Sequence, residues 1–190
     1  GEDSAHQGVS PPLWASDTYR WADAETKPDY DYSRTVSPNR DMLIAPLAEL
    51  EGAAGGIATN SGQAAALLAA LLVPADALVV APHDCYGGTY RLLKGLEEQR
   101  RLATLFIDMA DESAVAAALA RKPALVWIET PSNPLWTITD IAATAEIAEL
   151  CKSRKRALVI GTTGHTEPEQ ERIRAASKSI PIVWASNYST

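Results

Sequence analysis

Short apolar runs that alternate with stretches of helical pattern are the feature that most constrains the fold of this chain. The runs lie at 77–81, 102–107, 124–129, 157–160 and 180–185. Neighbouring parallel strands are joined by crossovers of a dozen or more residues, usually helices, which bury both faces of the sheet. The alternation therefore predicts an α/β fold, with a mainly parallel sheet that carries helices on both faces.

The segment before these runs has a different character. Residues 1–40 are rich in Pro, Asp, Ser and Tyr and show no sustained periodicity, so they are predicted to form an extended N-terminal arm. Residues 41–190 are predicted to form a single α/β domain, since 190 residues suit one domain of ordinary size. Helices are expected at 42–53, 61–72, 88–99, 140–154 and 168–178, with another that begins at Asp111.

Composition narrows the classes of function. The net charge of -7 argues against nucleic acid and against an anionic membrane surface as partners. No apolar run approaches the roughly 20 residues of a membrane span, and the N-terminus lacks the pattern of a signal peptide. The two cysteines and three histidines have no metal-ligand spacing, so no metal site is predicted. We expect a cytoplasmic protein.

The stretch "ATNSGQAAALL" has the pattern of an anion site. A turn with polar residues and glycine leads directly into a helix that begins at Ser61. The unpaired N–H groups of the first helical turn would point toward a bound phosphate, and Gly62 would let it approach closely. The alternative is an ordinary helix cap that binds nothing.

Two further stretches place polar side chains after strands. In "HDCYGGTYRLL", Tyr86 follows a strand and could stack on a flat cofactor, or it could be an ordinary half-buried tyrosine. In "IETPSNPLW", another strand ends and a loop follows, with the polar residues Glu129, Thr130 and Asn133. Polar groups buried at the end of a strand need partners, and a ligand is one way to supply them.

The N-terminal stretch "YDYSRT" offers Tyr32 and Arg34, whose hydroxyl and guanidinium could hold a phosphate. Because the arm has no core pattern, the alternative is an ordinary pair of surface residues.

Together, these four stretches resemble the Cys/Met-metabolism family of pyridoxal-phosphate enzymes, which includes cystathionine γ-synthases, cystathionine lyases and methionine γ-lyases. The resemblance covers residues 5 to about 150, and "CYGGTYRLL" and "IETPSNPLWTITDI" match nearly throughout. "YSRTVSPNR" and "NSGQAA" match with departures at Ser37, Asn39, Asn60 and Gln63. The resemblance implies a type I pyridoxal-phosphate transferase fold, truncated. Its substrate would be a homoserine ester, cystathionine or another sulfur-containing amino acid.

The resemblance also implies roles for individual residues. The backbone N–H groups of Gly62 and Gln63 would bind the cofactor phosphate, Tyr86 would stack on its pyridine ring, and Asn133 would lie near its phenolic oxygen. The full set of expected cofactor-binding residues is Tyr32, Arg34, Ser61, Gly62, Gln63, Tyr86, Glu129 and Asn133. The first two would reach the phosphate of a neighbouring subunit, so a homo-oligomer is expected.

Two groups that pyridoxal chemistry needs are missing from the sequence. The family carries an aspartate in V-D-N-T, which keeps the ring nitrogen protonated, and a Schiff-base lysine in S-x-T-K-Y. The corresponding strand here reads "ALVIGTTG", and Lys178 in "AASKSIP" is expected on a helix surface. No catalytic residue is therefore assigned, and we expect an inactive or impaired enzyme.

The C-terminal segment, from about 150 to 190, resembles another family, dihydrodipicolinate reductase, through "LVIGTTGHTEPEQERIRAASKSIPIVWASNYST". This resemblance implies NAD(P)H as an alternative cofactor. Its nicotinamide side would lie near Gly161, Thr162, Thr163, Asn187 and Tyr188. The reductase's glycine-rich NAD(P) loop and His-His-x-x-K segment are absent. The two resemblances predict a junction between 145 and 157, and they leave a reductase fragment or an inactive chimeric or engineered scaffold as alternative interpretations.

Overall fold

The computed structural model describes residues 9–51 and 53–144, together with the backbone of two strands at 157–161 and 182–185. The chain divides into two compact units, Gly1–Ala58 and Thr59–Thr190. No helix within the described ranges is long and apolar enough to cross a membrane. The predicted boundary between arm and domain at residue 40 remains a prediction.

The first unit begins with irregular backbone. Within the described range 9–36 there is no helix, and the chain makes an isolated antiparallel bridge between Thr18 and Tyr32. The N–H of Ser33 donates to the carbonyl of Asp17 at 2.8 Å beside this bridge. Two stretches of chain thus run side by side, and the tight turn after Tyr32 leads toward the first helix.

Helix α1 spans Pro38–Leu50, so it begins earlier than the predicted 42–53. Proline suits the first helical position, because its fixed φ is already helical and its missing N–H would have no helical partner there. It also holds the preceding residue, Ser37, in extended backbone with φ -151° and ψ 132°. The Ser-Pro pair was the overlooked start signal.

The second unit contains one sheet of five parallel strands in the order β2-β1-β3-β4-β5. The strands are β1 Leu78–Pro82, β2 Ala103–Ile107, β3 Leu125–Glu129, β4 Ala157–Gly161 and β5 Ile182–Ala185. Each one falls on a predicted apolar run, with ends that differ by one or two residues. The prediction of an α/β fold with a parallel sheet is confirmed.

Strand β4 follows the junction that was predicted near residue 150, yet it belongs to the same sheet as the strands before it. It pairs in parallel with β3, with Trp127 opposite Val159 and Glu129 opposite Gly161. The parallel pairing expected for the run at 157–160 is therefore confirmed.

Three helices of the second unit are described in full. They are α2 Gly62–Leu71, α3 Gly87–Glu98 and α4 Glu112–Ala120. The Oγ of Ser61 caps α2 by accepting from the backbone N–H three residues on, at 3.2 Å. Asp111 caps α4 by accepting from two backbone N–H groups, at 2.8 and 3.3 Å. These short polar side chains fix where each helix begins, as the sequence predicted.

The helices cover both faces of the sheet, as expected. On one face, Val79 of β1 and Trp127 of β3 pack with residues of α2 and α3. On the other face, Val80 and Ile128 pack with residues of α4. Because successive side chains of a strand point to opposite faces, burial on both sides explains why the strands are continuous apolar runs rather than alternating ones.

After β1 and after β3, the chain crosses to opposite faces of the sheet. After β1 it enters α3 on one face, whereas after β3 it reaches a helical segment at 141–144, where Ile141 packs with the α4 face. That segment begins after Asp140, as predicted, and residues 145–156 lie outside the described residues. Neighbouring strands whose chains diverge in this way leave a crevice at their carboxyl ends, where open α/β sheets bind ligands.

Candidate functional site

The first turns of α2 and α3 meet beside this crevice. A Cβ placed on Gly88 would lie 2.4 Å from Cε1 of Tyr86 and 2.8 Å from Nε2 of Gln63. Gln63 and Tyr86, which lie in different stretches of the sequence, are therefore brought together over Gly88. Only glycine leaves room for this close approach, which explains the second glycine of the "YGG" stretch.

The N-terminus of α2 has the donors that a phosphate needs. The side chain of Ser61 occupies the N–H of Ala64. No acceptor among the described residues takes the N–H groups of Gly62 and Gln63, which are exposed. Two free N–H groups at the positive end of a helix dipole fit an anionic phosphate group.

Tyr86 fits the role of a stacking platform. It lies directly before α3 and its side chain is 45% exposed, so a flat ligand in the crevice could reach its ring. Cδ1 and Cε1 of the ring lie close to Gly88, which limits where the ring can move. The site residues present thus supply an anion cradle and an aromatic face, the two features that a phosphorylated aromatic cofactor requires.

Glu129, at the end of β3, is bound by three protein donors. Its Oε2 accepts from the backbone N–H of Tyr86 at 2.6 Å. Its Oε1 accepts from Oγ1 of Thr89 at 2.6 Å and from Nε1 of Trp127 at 2.9 Å. The sequence suggested that a ligand could satisfy this polar group, whereas the protein itself already does so. Thr89 was missed because its proximity to Glu129 depends on the fold, whereas Trp127, two residues before Glu129 in the same strand, could have been found from the strand period of two.

A hydrogen bond also joins the loop after β1 to the loop after β3. Oγ of Ser132 donates to Oδ2 of Asp84 at 2.5 Å and accepts from the N–H of Thr137 at 2.9 Å. Burial opposes ionisation of Asp84, but hydrogen bonds from Ser132 and Thr137 outweigh it and hold the pKa of this carboxyl below its usual range. Ser132 therefore organises the loop that carries Asn133, which is exposed and has no described contact with Tyr86.

Cys85 lies beside these groups, but it is not suited to nucleophilic chemistry. Burial and the nearby carboxylate of Glu129 raise the pKa of its thiol to about 12. The thiol therefore stays protonated near neutral pH.

The structure also brings Tyr32 and Arg34 together in the first unit. Nη2 of Arg34 donates to the hydroxyl of Tyr32 at 2.5 Å, and its guanidinium carbon lies 5.0 Å from the centroid of the tyrosine ring. Arg34 is exposed, so its remaining donors are open to an anion. Their expected contact with a neighbouring subunit remains a prediction.

The residues expected on the nicotinamide side are described only in part. Gly161 ends β4 opposite Glu129, at the carboxyl edge of the sheet. The other residues expected on this side lie outside the described residues: Thr162, Thr163, Asn187 and Tyr188. Lys178 lies outside them too.

Comparison with known proteins decides the family. The family model described as "Cys/Met metabolism PLP-dependent enzyme" matches residues 1–171. The chain belongs to this family. Cystathionine γ-synthase of Escherichia coli is 46% identical over 149 residues, which is 77% of this chain and 38% of that protein. Cystathionine γ-lyase of Bacillus subtilis is 35% identical over 147 residues, again 77% of this chain and 39% of that protein.

A solved structure agrees with these relatives. Cystathionine γ-synthase from Xanthomonas oryzae pv. oryzae, in complex with aminoacrylate and cysteine, aligns with a TM-score of 0.76 at 38% identity. The alignment covers 84% of this chain and 41% of that one. The present chain therefore spans about two-fifths of the length of these three relatives.

The prediction for the C-terminal segment is not supported. The family match runs to residue 171, past the junction predicted between 145 and 157. The comparisons therefore support neither the resemblance to dihydrodipicolinate reductase, nor a chimera, nor NAD(P)H as the cofactor. The letters that suggested a reductase are an apolar strand sequence followed by glycine and threonine, and such sequences occur in many α/β proteins.

Proposed function

We propose that this chain binds pyridoxal 5′-phosphate in the crevice between β1 and β3, and that it serves an enzyme acting on cystathionine, a homoserine ester or another sulfur amino acid. The family is pyridoxal-phosphate-dependent, and similar proteins are cystathionine γ-synthases and γ-lyases. The observation that carries the proposal is the meeting of Gln63 and Tyr86 over Gly88, which sets a helix N-terminus beside an exposed aromatic ring.

Each residue has a defined task in this proposal. The N–H groups of Gly62 and Gln63 bind the phosphate, and the ring of Tyr86 stacks on the pyridine ring. Asn133 binds near the phenolic oxygen. The bound cofactor supplies an electron sink for the amino-acid substrate. These residues orient it and shield one of its faces from water.

Tyr32 and Arg34 extend the phosphate site in a homo-oligomer. Their hydroxyl and guanidinium are already joined at 2.5 Å, which presents both groups together. We propose that they bind the phosphate held by a neighbouring subunit. The homo-oligomer and the cytoplasmic location remain predictions.

The mode of binding follows from the sequence. Neither the V-D-N-T nor the S-x-T-K-Y segment occurs among the 190 residues. This chain is therefore proposed to hold the cofactor through non-covalent contacts, without a link to a specific lysine.

Titration of the 190-residue chain with pyridoxal phosphate, followed by borohydride reduction and peptide mapping, tests the proposal. We expect saturable binding with no stoichiometrically labelled lysine. Tyr86→Ala should weaken binding about fivefold, because the stacking surface is lost. Tyr90→Ala is the matched control, since this tyrosine of the same helix is 44% exposed and packs against Phe106 instead.

Each contrary result has a distinct meaning. A single fully labelled lysine would contradict the non-covalent mode. Equal loss of affinity in the two tyrosine variants would contradict the stacking role of Tyr86.

A further inference from the structure

Glu129 connects the end of a central strand to the loop that carries the stacking tyrosine. We infer that Glu129 is a positioning residue, which fixes Tyr86 for the pyridine ring of the cofactor without touching the cofactor itself. This inference rests on the proposed function, and it assigns Glu129 a different role from the direct cofactor contact expected from the sequence.

The carboxylate of Glu129 has little capacity left for a ligand. Its two oxygens receive three donors, from Tyr86, Thr89 and Trp127. A carboxylate offers about four acceptor sites. The side chain of Glu129 is half-buried, whereas the ring of Tyr86 is 45% exposed. The tyrosine is therefore the group presented to the crevice, and the glutamate lies behind it.

The hydrogen bonds fix the start of α3 at two points. Tyr86 is the N-cap residue, and its own side chain makes no capping bond to any described residue. Thr89 is the third residue of the helix, where a glutamate often reaches back to the N–H of the N-cap. Here that N–H is bound instead by Glu129, from 43 residues away, and the same carboxylate binds the hydroxyl of Thr89.

The placement of the backbone decides the placement of the ring. Gly88 leaves the ring of Tyr86 seated directly against the first turn of α3, where a Cβ would lie 2.4 Å from Cε1. A shift of the Tyr86 backbone would therefore move the ring relative to Gln63 and the N-terminus of α2. Glu129 thus sets the distance between the stacking surface and the phosphate cradle.

A double-mutant cycle on the 190-residue chain tests this role, with pyridoxine 5′-phosphate as the probe. This compound has no aldehyde and so does not react with surface lysines. Glu129→Gln keeps the shape of the side chain but removes the charge from these bonds. We expect its dissociation constant to rise about three- to fivefold in the wild-type background, and by no more than Tyr86→Ala raises it. In the Tyr86→Ala background the same change should have less than about a twofold effect, because a residue that acts only through Tyr86 has nothing left to position.

Three further variants separate positioning from general stability. Glu97→Gln is the matched control. Glu97 lies in α3, and its carboxylate also accepts a backbone N–H, that of Thr104, at 2.9 Å. This variant should lower thermal stability but leave the dissociation constant unchanged. Thr89→Val removes one of the three donors and should weaken binding by less than Glu129→Gln does, whereas Thr89→Ser keeps the hydroxyl and should restore wild-type affinity.

The outcomes distinguish this inference from the proposed function. A folded wild-type chain that does not bind the probe would overturn both. Binding that Glu129→Gln weakens equally in the two Tyr86 backgrounds would show direct contact with the ligand and overturn the inference alone. The inference would also fail if Glu129→Gln and Thr89→Val, like Glu97→Gln, left the affinity unchanged, because the carboxylate would then serve only the stability of α3.

Discussion

The two tyrosines proposed to contact the cofactor, Tyr86 and Tyr32, are held in different ways. Tyr86 is bound through its backbone by a carboxylate 43 residues along the chain, at the end of a central strand. The hydroxyl of Tyr32 is bound by Arg34, two residues away, and its carbonyl accepts from the N–H groups of Thr35 and Val36. The first tyrosine is held by a residue far along the chain, and the second mainly by its own turn, beside the bridge to Thr18.

This difference predicts how each region responds to change. A site that depends on the core shares the stability of the sheet, whereas a local turn can rearrange at little cost in the free energy of unfolding. Substitutions near Tyr86 should therefore affect both stability and ligand affinity. Substitutions near Tyr32 should leave stability almost unchanged.

The largest effect is expected in β3, the strand that ends in Glu129. Ile128 of β3 is fully buried, next to Glu129. Ile128→Ala should lower the free energy of unfolding by about 2–5 kcal/mol, because it removes buried methyl groups and leaves a cavity. Urea denaturation followed by circular dichroism measures this. Ile138→Ala, at a position 66% exposed, is the control and should change stability by less than about 0.5 kcal/mol. Similar losses for the two would mean that β3 is not part of the core.

A smaller effect is expected at the close approach under the ring. In Gly88→Ala, the new methyl group would collide with Tyr86, at a cost of about 1–3 kcal/mol, and should weaken pyridoxine 5′-phosphate binding. Gly95→Ala in the same helix is the control, because a Cβ there meets no described atom within 4 Å. That change should stabilise the chain by up to about 1 kcal/mol, since alanine favours helix. Thermal unfolding of the pair compares them, and equal shifts would contradict the packing described for Tyr86.

The sequence predicted the sheet well but the connections between its loops poorly. Continuous apolar runs marked β1 and β3 to within a residue, because burial on both faces leaves a local signal. The sequence also placed Gly62 and Gln63 at a helix start and Tyr86 just after a strand, since helix starts and strand ends are local features. Their cofactor contacts remain predictions. The bonds from Tyr86 and Thr89 to Glu129 could not be predicted, because they depend on how α3 packs against β3.

In the C-terminal segment, by contrast, the sequence led to a prediction that the comparisons do not support. The residues around Gly161 were interpreted through a specific resemblance to another family, which the family match to residue 171 does not support. An apolar strand that ends in glycine satisfies the demands of any parallel sheet, so it carries little information about ancestry. Its place beside β3 followed from the strand pattern alone.

A pH-dependent effect is expected where Asp84 meets Ser132. The pKa of Asp84 is lowered in the folded chain, so its ionised form stabilises the fold above the ordinary carboxyl pKa of about 3.9. That contribution, about 1 kcal/mol, is lost as the pH falls through the lower folded pKa. Urea midpoints of the wild type and Asp84→Asn should therefore differ at pH 6 and converge toward pH 3. A constant difference between the two chains at all pH values would contradict this role.

The smallest effect on stability is expected at Arg34. Its guanidinium is exposed and contacts the hydroxyl and ring of Tyr32 within the same turn, so Arg34→Ala should change the free energy of unfolding by less than about 0.5 kcal/mol. Affinity for pyridoxine 5′-phosphate should nevertheless fall in oligomeric fractions separated by size exclusion, because the proposed phosphate contact is made with a neighbouring subunit. In monomeric fractions the affinity should be unchanged. Equal weakening in both fractions would place the contact within one subunit and remove the distinction between the sheet-built site and the turn.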